Sequence, residues 1–212
     1  MVVREGLRSL LKVDTGIEVV GEAQDGRQAV QLTKKLRPAV VVMDIAMPLL
    51  NGLEATRQIL KAVPGTKVLI LSAHSDDAYV EQATALGAVG FLLKQTSAHD
   101  LSKAIREVQK GNTFFSPSIA KRLRHGQPQS LDRSGKHKKK IVLSSRKIEV
   151  LQLIAEGQPN KQVANELGIS IKTVEKHRQS LMSKLNIHDV AGLTRYAIGA
   201  GIIESSVQIT IV

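Results

Sequence analysis

The chain has 212 residues, enough for one or two domains that each bury an ordinary hydrophobic core. Apolar residues make up 42% and charged residues 23%, which excludes a disordered or fibrous protein, and the absence of cysteine excludes disulfides and cysteine-ligated metals. The net charge of +11 indicates an acidic partner such as nucleic acid. No apolar run approaches the roughly 20 residues that cross a bilayer, and the start does not resemble a signal peptide, so we predict a cytoplasmic protein without membrane contact.

Most of the positive charge lies in one short segment. Residues 121–140, KRLRHGQPQSLDRSGKHKKK, carry 8 basic side chains and 1 acidic one, whereas residues 141–212 carry 8 and 6. Gly, Pro and Ser without an apolar period predict a flexible linker here, either a solvated tether or an arm that contacts nucleic-acid phosphates. The linker divides the chain into predicted domains at 1–120 and 141–204, followed by a tail at 205–212.

The first domain alternates short β-branched runs with amphipathic stretches, a pattern typical of βα units around a parallel sheet. Strands are predicted at 17–22, 40–44, 67–72 and 90–93, and helices at 3–12, 26–36, 52–63, 77–86 and 98–110. Ser97 is placed to cap the last of these helices. A further strand is expected to precede the first helix. The fold class predicted for this domain is therefore α/β.

Three polar residues lie where predicted strands end. Asp44 closes VVVMD, Ser72 closes KVLILS, and Lys94 follows GFLL. The carboxyl ends of parallel strands face a common crevice, so these side chains are expected to converge. A phosphoryl group fits there, with Asp44 as nucleophile, Lys94 as counter-charge and Ser72 as hydrogen-bond donor. Each residue alone is typical of an ordinary strand end, and only the combination favours a phosphoryl site.

The segments VVVMDIAMPLLNG, KVLILSAHS and LGAVGFLLK resemble the receiver domain of two-component response regulators. The resemblance implies a flavodoxin-like doubly wound parallel sheet. It also implies that Asp44 is the phosphoacceptor, Ser72 the switch hydroxyl and Lys94 the phosphate partner. Phe91 is implied as an aromatic that changes rotamer on activation, with plain core packing as the alternative.

The sequence departs from this family at its beginning. The family's first strand, which ends in an acidic pair that binds Mg²⁺, precedes a helix resembling VREGLRSLL, and the sequence given begins at that helix. Mg²⁺ prefers six oxygen ligands, so Asp44 alone is poorly suited to the Mg²⁺ cofactor that the resemblance implies. Three explanations stay open for the missing first strand: a misplaced start or incomplete sequence, a degenerate receiver that signals without phosphate, or a substitute strand from the tail residues 207–212, VQITIV.

The second domain shows a helical period throughout and is predicted to be all-α. Helices are predicted from Ser144 to about Glu156, at 160–167 and at 171–185, and the last two are joined by a short turn with glycine, the spacing of a helix-turn-helix unit. The 171–185 helix has an apolar stripe and an opposite donor stripe of Lys172, Lys176, Gln179 and Ser183. Such donors suit a major groove, although a solvated face is the alternative.

The string LSSRKIEVLQLIAEGQPNKQVANELGISIKTVEKHRQSLMSKLNIHDVAGLTRYAI resembles the LuxR-type helix-turn-helix of the NarL/FixJ response regulators. The resemblance implies that a fourth helix, at about 189–198, supports dimerisation on a two-fold site. Glu175 and Pro159 depart from the family, which often has a basic and a small hydroxyl residue there. The residues implied to approach DNA are Lys172, Thr173, Lys176, Arg178 and Gln179.

Together the two domains predict a DNA-binding response regulator that a sensor histidine kinase phosphorylates on Asp44. It is expected to act as a homodimer on double-stranded DNA, with RNA polymerase as a further partner. The alternative is a phosphorylation-independent DNA-binding regulator whose degenerate receiver serves dimerisation or docking. An enzyme such as an aspartate-based phosphohydrolase is not predicted, because residues 45–47 offer no second carboxylate as acid or base.

Overall fold

The computed structural model describes residues 2–12, 14–73, 76–124 and 143–203. The part before residue 125 contains α1 (Val2–Lys12), α2 (Gly26–Leu36), β1 (Val40–Asp44), α3 (Gly52–Ala62), β2 (Lys67–Ser72), α4 (Asp77–Ala85), β3 (Gly90–Leu93), α5 (Ala98–Gln109), β4 (Phe114–Phe115) and α6 (Pro117–Arg124). The part from residue 143 contains α7 (Ser145–Ala155), α8 (Asn160–Leu167), α9 (Ile171–Leu185) and α10 (Val190–Gly199).

The four strands form one parallel sheet in the order β1-β2-β3-β4. Helices cover both of its faces, which is why β2 is buried along almost its whole length. On one face, Ile70 and Phe91 pack in a cluster with α2 and α3, and on the other, Leu69 packs with Leu101 of α5. These results confirm the predicted α/β class and the bounds of β1, β2 and β3.

Short polar side chains begin five of the described helices, namely α2, α3, α5, α9 and α10, by accepting a hydrogen bond from a backbone N–H in the first turn. Ser97 caps α5 and Ser170 caps α9 in this way, through Asp100 N and Thr173 N respectively. Ser144 occupies the corresponding position of α7, but its side chain makes no capping hydrogen bond. The cap predicted at Ser97 is therefore confirmed.

The strand predicted at residues 17–22 is wrong. Within the described ranges no strand pairs with this segment, and β1 pairs only with β2. An apolar β-branched run becomes a strand only beside a hydrogen-bonding neighbour, and nothing in the described residues lies between this segment and β1 to supply one. Among the described strands, β1 therefore pairs on one side only, with β2.

Two elements near the end of the first domain were not predicted, namely β4 and α6. β4 pairs in parallel with β3 and places Phe114 opposite Gly90. Helix α6 continues to Arg124 and so passes the predicted boundary at residue 120. Residues 125–140 of the predicted linker, and the predicted tail from residue 205 onward, lie outside the described residues.

Helices α7 to α10 surround a second aliphatic core, in which Leu151, Val163, Val174, Leu181 and Leu193 are buried. Helix α8 ends at Gly168, whose φ of 61° lies in the left-handed region that favours glycine. The chain then turns into α9, so the predicted helix-turn-helix unit is confirmed. None of the helices in the described ranges combines the length and apolarity that a bilayer-spanning helix needs.

Candidate functional site

The strand ends bring Asp44, Ser72 and Lys94 to one edge of the sheet. Asp44 lies opposite Leu71 and Ser72 lies opposite Leu93, so β2 ends one residue beyond β1, and β3 ends level with β2. The amide of Lys94 donates to the carbonyl of Ser72 at 2.7 Å, which fixes the backbone that carries the lysine. The convergence predicted from the sequence is therefore present in the backbone.

The side chains of Asp44 and Lys94 form an ion pair. Lys94 Nζ lies 2.6 Å from Asp44 Oδ2, and the amide of Ala46 donates to Asp44 Oδ1 at 3.3 Å. The side chains are 32% and 23% exposed respectively, so a second molecule can reach the carboxylate. A reachable carboxylate with its own counter-charge suits the transfer of an anionic group.

Ser72 and Phe91 are both buried, at 1% exposure each. Ser72 closes β2 beside the two strands that carry the ion pair. Phe91 lies in the cluster between the sheet and helices α2 and α3. Its role in switching stays a prediction, because this single arrangement shows only the packed side chain.

The described residues around Asp44 do not by themselves form a Mg²⁺ site. Across the part of the chain that the structure describes, no group of three or more His, Asp or Glu is placed to hold a metal. Both oxygens of Asp44 already accept hydrogen bonds, one from the Lys94 ammonium. Mg²⁺ demands near-octahedral oxygen ligands, so one engaged carboxylate is a poor site for it.

Helix α9 presents its polar stripe to solvent. Lys172, Lys176 and Gln179 are exposed, whereas Val174 and Leu181 of the opposite stripe are completely buried. The N-terminus of this helix is fixed by the Ser170 cap, and its far end by Asn186 in the left-handed region. The helix is therefore capped at both ends and presents a row of hydrogen-bond donors outward, as a major-groove reader requires.

Other residues of α9 are partly engaged inside the domain. Arg178 donates to Asn160 Oδ1 at 2.8 Å, and Thr173 Oγ1 lies 2.9 Å from Ser170 Oγ. Burial lowers the pKa of His177, and the charges of Arg146 and Lys147 lower it further. His177 is therefore neutral at neutral pH and adds no charge to this face.

A feature that sequence reasoning missed is the loop of residues 45–51, which follows the strand that ends at Asp44 and contacts the second domain. Gln152 of α7 is completely buried against this loop. It accepts from Asn51 N at 2.7 Å and donates to Met47 O at 2.9 Å. The sequence signal that could have revealed this contact is the run VLQLI in α7, since apolar residues on all sides of a helix indicate burial on more than one face.

The middle of the same loop is strained and enters the second domain. Leu49 has a φ of 64°, in the left-handed region, and its side chain packs on the core of helices α7 to α10. Its amide donates to the Glu156 carboxylate at 3.2 Å. Burial raises the pKa of Glu156 despite hydrogen bonds from Gln152 and Leu49 that act in the opposite direction.

Charged residues extend the contact along α3 and α7. Glu54 of α3 accepts from Arg57, Gln58 and, across the domains, Ser145. Burial acts to raise the pKa of Glu54, but these hydrogen bonds outweigh it and hold the pKa below its usual value. Arg27 of α2 contacts Glu149 at 3.2 Å. The two domains are thus joined by a largely polar contact.

The fold and these surfaces define a class of protein in which a parallel α/β domain carries an aspartate–lysine pair and a helix-turn-helix domain contacts DNA. Comparison with protein-family models supports this class of protein. The response regulator receiver domain matches residues 1–106, and the luxR family of bacterial regulatory proteins matches residues 141–197. The chain belongs to the two-component response regulators with a LuxR-type DNA-binding domain, and it is a transcriptional regulator.

Individual relatives match over nearly the whole chain. The transcriptional regulatory protein LiaR of Bacillus subtilis is 37% identical over 92% of this chain and 91% of its own length. DegU of Brevibacillus brevis is 36% identical over 88% of this chain and 84% of its own length. Among solved structures, the RcsB response regulator of Salmonella typhimurium is 28% identical, with a TM-score of 0.60 over 94% of this chain and 92% of that one.

Proposed function

We propose that this regulator is phosphorylated on Asp44 by a sensor histidine kinase and then controls transcription by binding double-stranded DNA through α9. The Asp44–Lys94 pair carries the proposal. Its 2.6 Å separation places an acceptor carboxylate and a fixed positive charge together at an accessible strand end.

The chemistry assigned to the site is a displacement at phosphorus. A carboxylate oxygen of Asp44 attacks the phosphoryl group of a phosphohistidine, the new O–P bond forms as the N–P bond breaks, and the imidazole leaves with the electron pair. Lys94 neutralises charge on the phosphoryl oxygens. Ser72, at the end of the neighbouring strand, is assigned the hydroxyl that donates to one of those oxygens.

The 45–51 loop is the proposed route from Asp44 to the second domain. A Cβ on Gly52 would lie 1.9 Å from the carbonyl oxygen of Asp44, so only glycine lets the loop fold back against the strand end. The end of the loop is therefore packed directly on the backbone of Asp44. The charge of a phosphoryl group at Asp44 is expected to rearrange the loop and weaken its hydrogen bonds to Gln152.

On DNA, Lys172, Lys176 and Gln179 are proposed to reach base edges, with Thr173 and Arg178 at the sugar-phosphate backbone. Helix α10 is proposed as the dimer contact. Its Val190 and Ile198 are exposed large apolar side chains, at 43% and 37% exposure. RcsB has been solved as dimers on DNA, which supports the same arrangement for this chain. RNA polymerase is a further proposed partner at the promoter.

One observation favours a second candidate, a regulator that binds DNA without phosphorylation. The donors on α9 are exposed in a structure in which the two domains contact each other. In that case the receiver would serve only dimerisation or docking to another protein.

The two candidates are separated by treating the full chain with acetyl phosphate and MgCl₂. The measurements are protein mass and affinity for a double-stranded site selected by this protein from a random DNA pool. Asp44→Asn is compared with Asp76→Asn, an exposed residue whose side chain caps nothing. We expect one phosphoryl group and tighter DNA binding in the parent chain and in Asp76→Asn, and neither in Asp44→Asn. Tight binding that is unchanged in all three proteins would instead establish the second candidate.

A further inference from the structure

The solvent-exposed face of α9 is made of two rows of side chains with different chemistry. Residues four apart are neighbours on a helix surface, so Lys172 and Lys176 form one row. By the same spacing, Ile171, Glu175 and Gln179 form a second row beside it. All five residues are exposed. The second row, which we call the cation-free row, holds an aliphatic group, a carboxylate and an amide, and so has no group that attracts phosphate by charge.

The first member of the cation-free row lies outside the hydrophobic core of its domain. Ile171 is 45% exposed, although Val174, one turn further on, is completely buried. Ile169, two residues before Ile171, packs on the core of helices α7 to α10, whereas Ile171 does not belong to that cluster. A single exposed aliphatic side chain is common on protein surfaces, so its place in the row carries the argument and its exposure alone does not.

Glu175 has no partner that would explain it as a stabiliser of the helix. An acidic residue on a helix surface commonly pairs with a cation three or four residues away. Arg178, three residues further on, instead donates to Asn160 Oδ1 at 2.8 Å. Within the described ranges the Glu175 side chain makes no hydrogen bond or ion pair, with Lys172 or with any other residue. Its carboxylate is therefore available to a bound molecule.

The three groups of the cation-free row match base edges and not phosphates. A carboxylate repels the phosphates of every duplex, so Glu175 weakens binding that depends on charge alone. In the major groove, however, a carboxylate accepts from the N4 amino group of cytosine, and an aliphatic side chain contacts the C5-methyl group of thymine. The amide of Gln179 suits adenine in the same groove. Each member of the row thus has a different base as its partner.

We propose that the cation-free row determines the sequence specificity of this regulator, with Glu175 selecting a cytosine and Ile171 selecting a thymine. The inference rests on the proposed binding of DNA through α9. Four residues of a helix rise about 6 Å and successive base pairs lie about 3.4 Å apart, so neighbouring members of the row reach base pairs about two steps apart. The site selected from the random pool is therefore expected to hold this cytosine and this thymine about two base pairs apart.

The cytosine contact is tested with Glu175→Ala in the full chain, treated with acetyl phosphate and MgCl₂. Affinity is measured for the selected site and for an unrelated duplex of equal length. We expect binding to the selected site to weaken by about fivefold or more, because the contact to N4 is lost. Binding to the unrelated duplex is expected to tighten, because a repulsive charge is removed. Glu81→Ala removes the same charge from an exposed position on α4 and is expected to leave the ratio of the two affinities unchanged.

The thymine contact is tested by replacing the thymines of the selected site with deoxyuridine, one at a time. Deoxyuridine lacks only the methyl group. At one position we expect the parent chain to bind about three- to fourfold more weakly, as the loss of one buried methyl group predicts. Ile171→Ala has no side chain to cover that methyl group, so it should bind both duplexes equally. An equal loss in the two proteins would overturn the assignment of Ile171.

The remaining outcomes separate this inference from the proposed function. Tighter binding of Glu175→Ala to both duplexes would show that the carboxylate is only solvated, and would overturn the assignment of Glu175 while DNA binding through α9 stands. A selected site without a cytosine and a thymine at the expected spacing would do the same for the row as a whole. A parent chain that enriches no site would instead overturn the proposed function and this inference together. Thermal unfolding of both variants is expected to match the parent chain, since both positions are exposed.

Discussion

Replacing Gln152 by Leu tests the contact between the two domains. Leucine keeps most of the side-chain volume but removes the amide that accepts from Asn51 N and donates to Met47 O. The docked state would then bury one unpaired N–H and one unpaired C=O. To avoid burying these two unpaired groups, the domains must move apart enough for water to reach the 45–51 loop.

The size of the effect follows from those two groups. Leaving a buried polar group unsatisfied costs about 1–3 kcal/mol, so two of them at a contact that water can partly enter cost about 3 kcal/mol. Since about 1.4 kcal/mol corresponds to a tenfold change in an equilibrium constant, docking should weaken about 100-fold.

Hydrogen exchange of the full chain measures this loss. Amides at 47–51 and in α7 are expected to lose protection in Gln152→Leu, while those of β2 and α9 keep it. Gln162→Leu is the matched control, because Gln162 is exposed on α8. If protection of the 47–51 loop is the same in both variants, the hydrogen bonds of Gln152 do not hold the domains together and the reasoning fails.

Four further predictions concern other parts of the molecule. Because burial raises the pKa of Glu156, docking of the two domains takes up a proton, so docking should weaken as pH rises through that pKa; Glu156→Gln should abolish this pH dependence of docking, measured by hydrogen exchange. Gly52→Ala places a Cβ 1.9 Å from the carbonyl oxygen of Asp44 and should lower the unfolding free energy by about 1–3 kcal/mol. Thermal unfolding measures this loss, and an unchanged unfolding temperature would contradict the prediction. Leu181→Ala, at a completely buried position, should cost about 2–5 kcal/mol in denaturant unfolding; a smaller loss would mean that the helical core collapses around the cavity. Gln179→Ala should cost about 1–3 kcal/mol at the selected DNA site and much less on unrelated DNA, and an equal loss on both would remove its role as a base reader.

Local patterns were sufficient for most of the elements. The helix Asn160–Leu167 and the strand Lys67–Ser72 were predicted with the bounds that the structure has, because glycines, caps and apolar periods act within a few residues. The convergence of Asp44 and Lys94 was also predictable, since all strands of a parallel sheet end at one edge. The strand predicted at 17–22 failed for the opposite reason, because strand pairing depends on a partner that local sequence does not supply.

The sequence by itself determined the two domains' fold classes, the strand edge where Asp44 and Lys94 meet and the donor face of α9, all of which follow from periodicity and from residue types at element ends. Tertiary structure alone decided how the domains meet. Gln152 is polar, and nothing in its neighbours along the chain shows that it binds the loop after β1, about 100 residues away. Tertiary structure also showed that, among the described strands, β1 pairs with β2 and the segment 17–22 pairs with none. Contacts between distant segments depend on packing and pairing in three dimensions, which periodicity along the chain does not record.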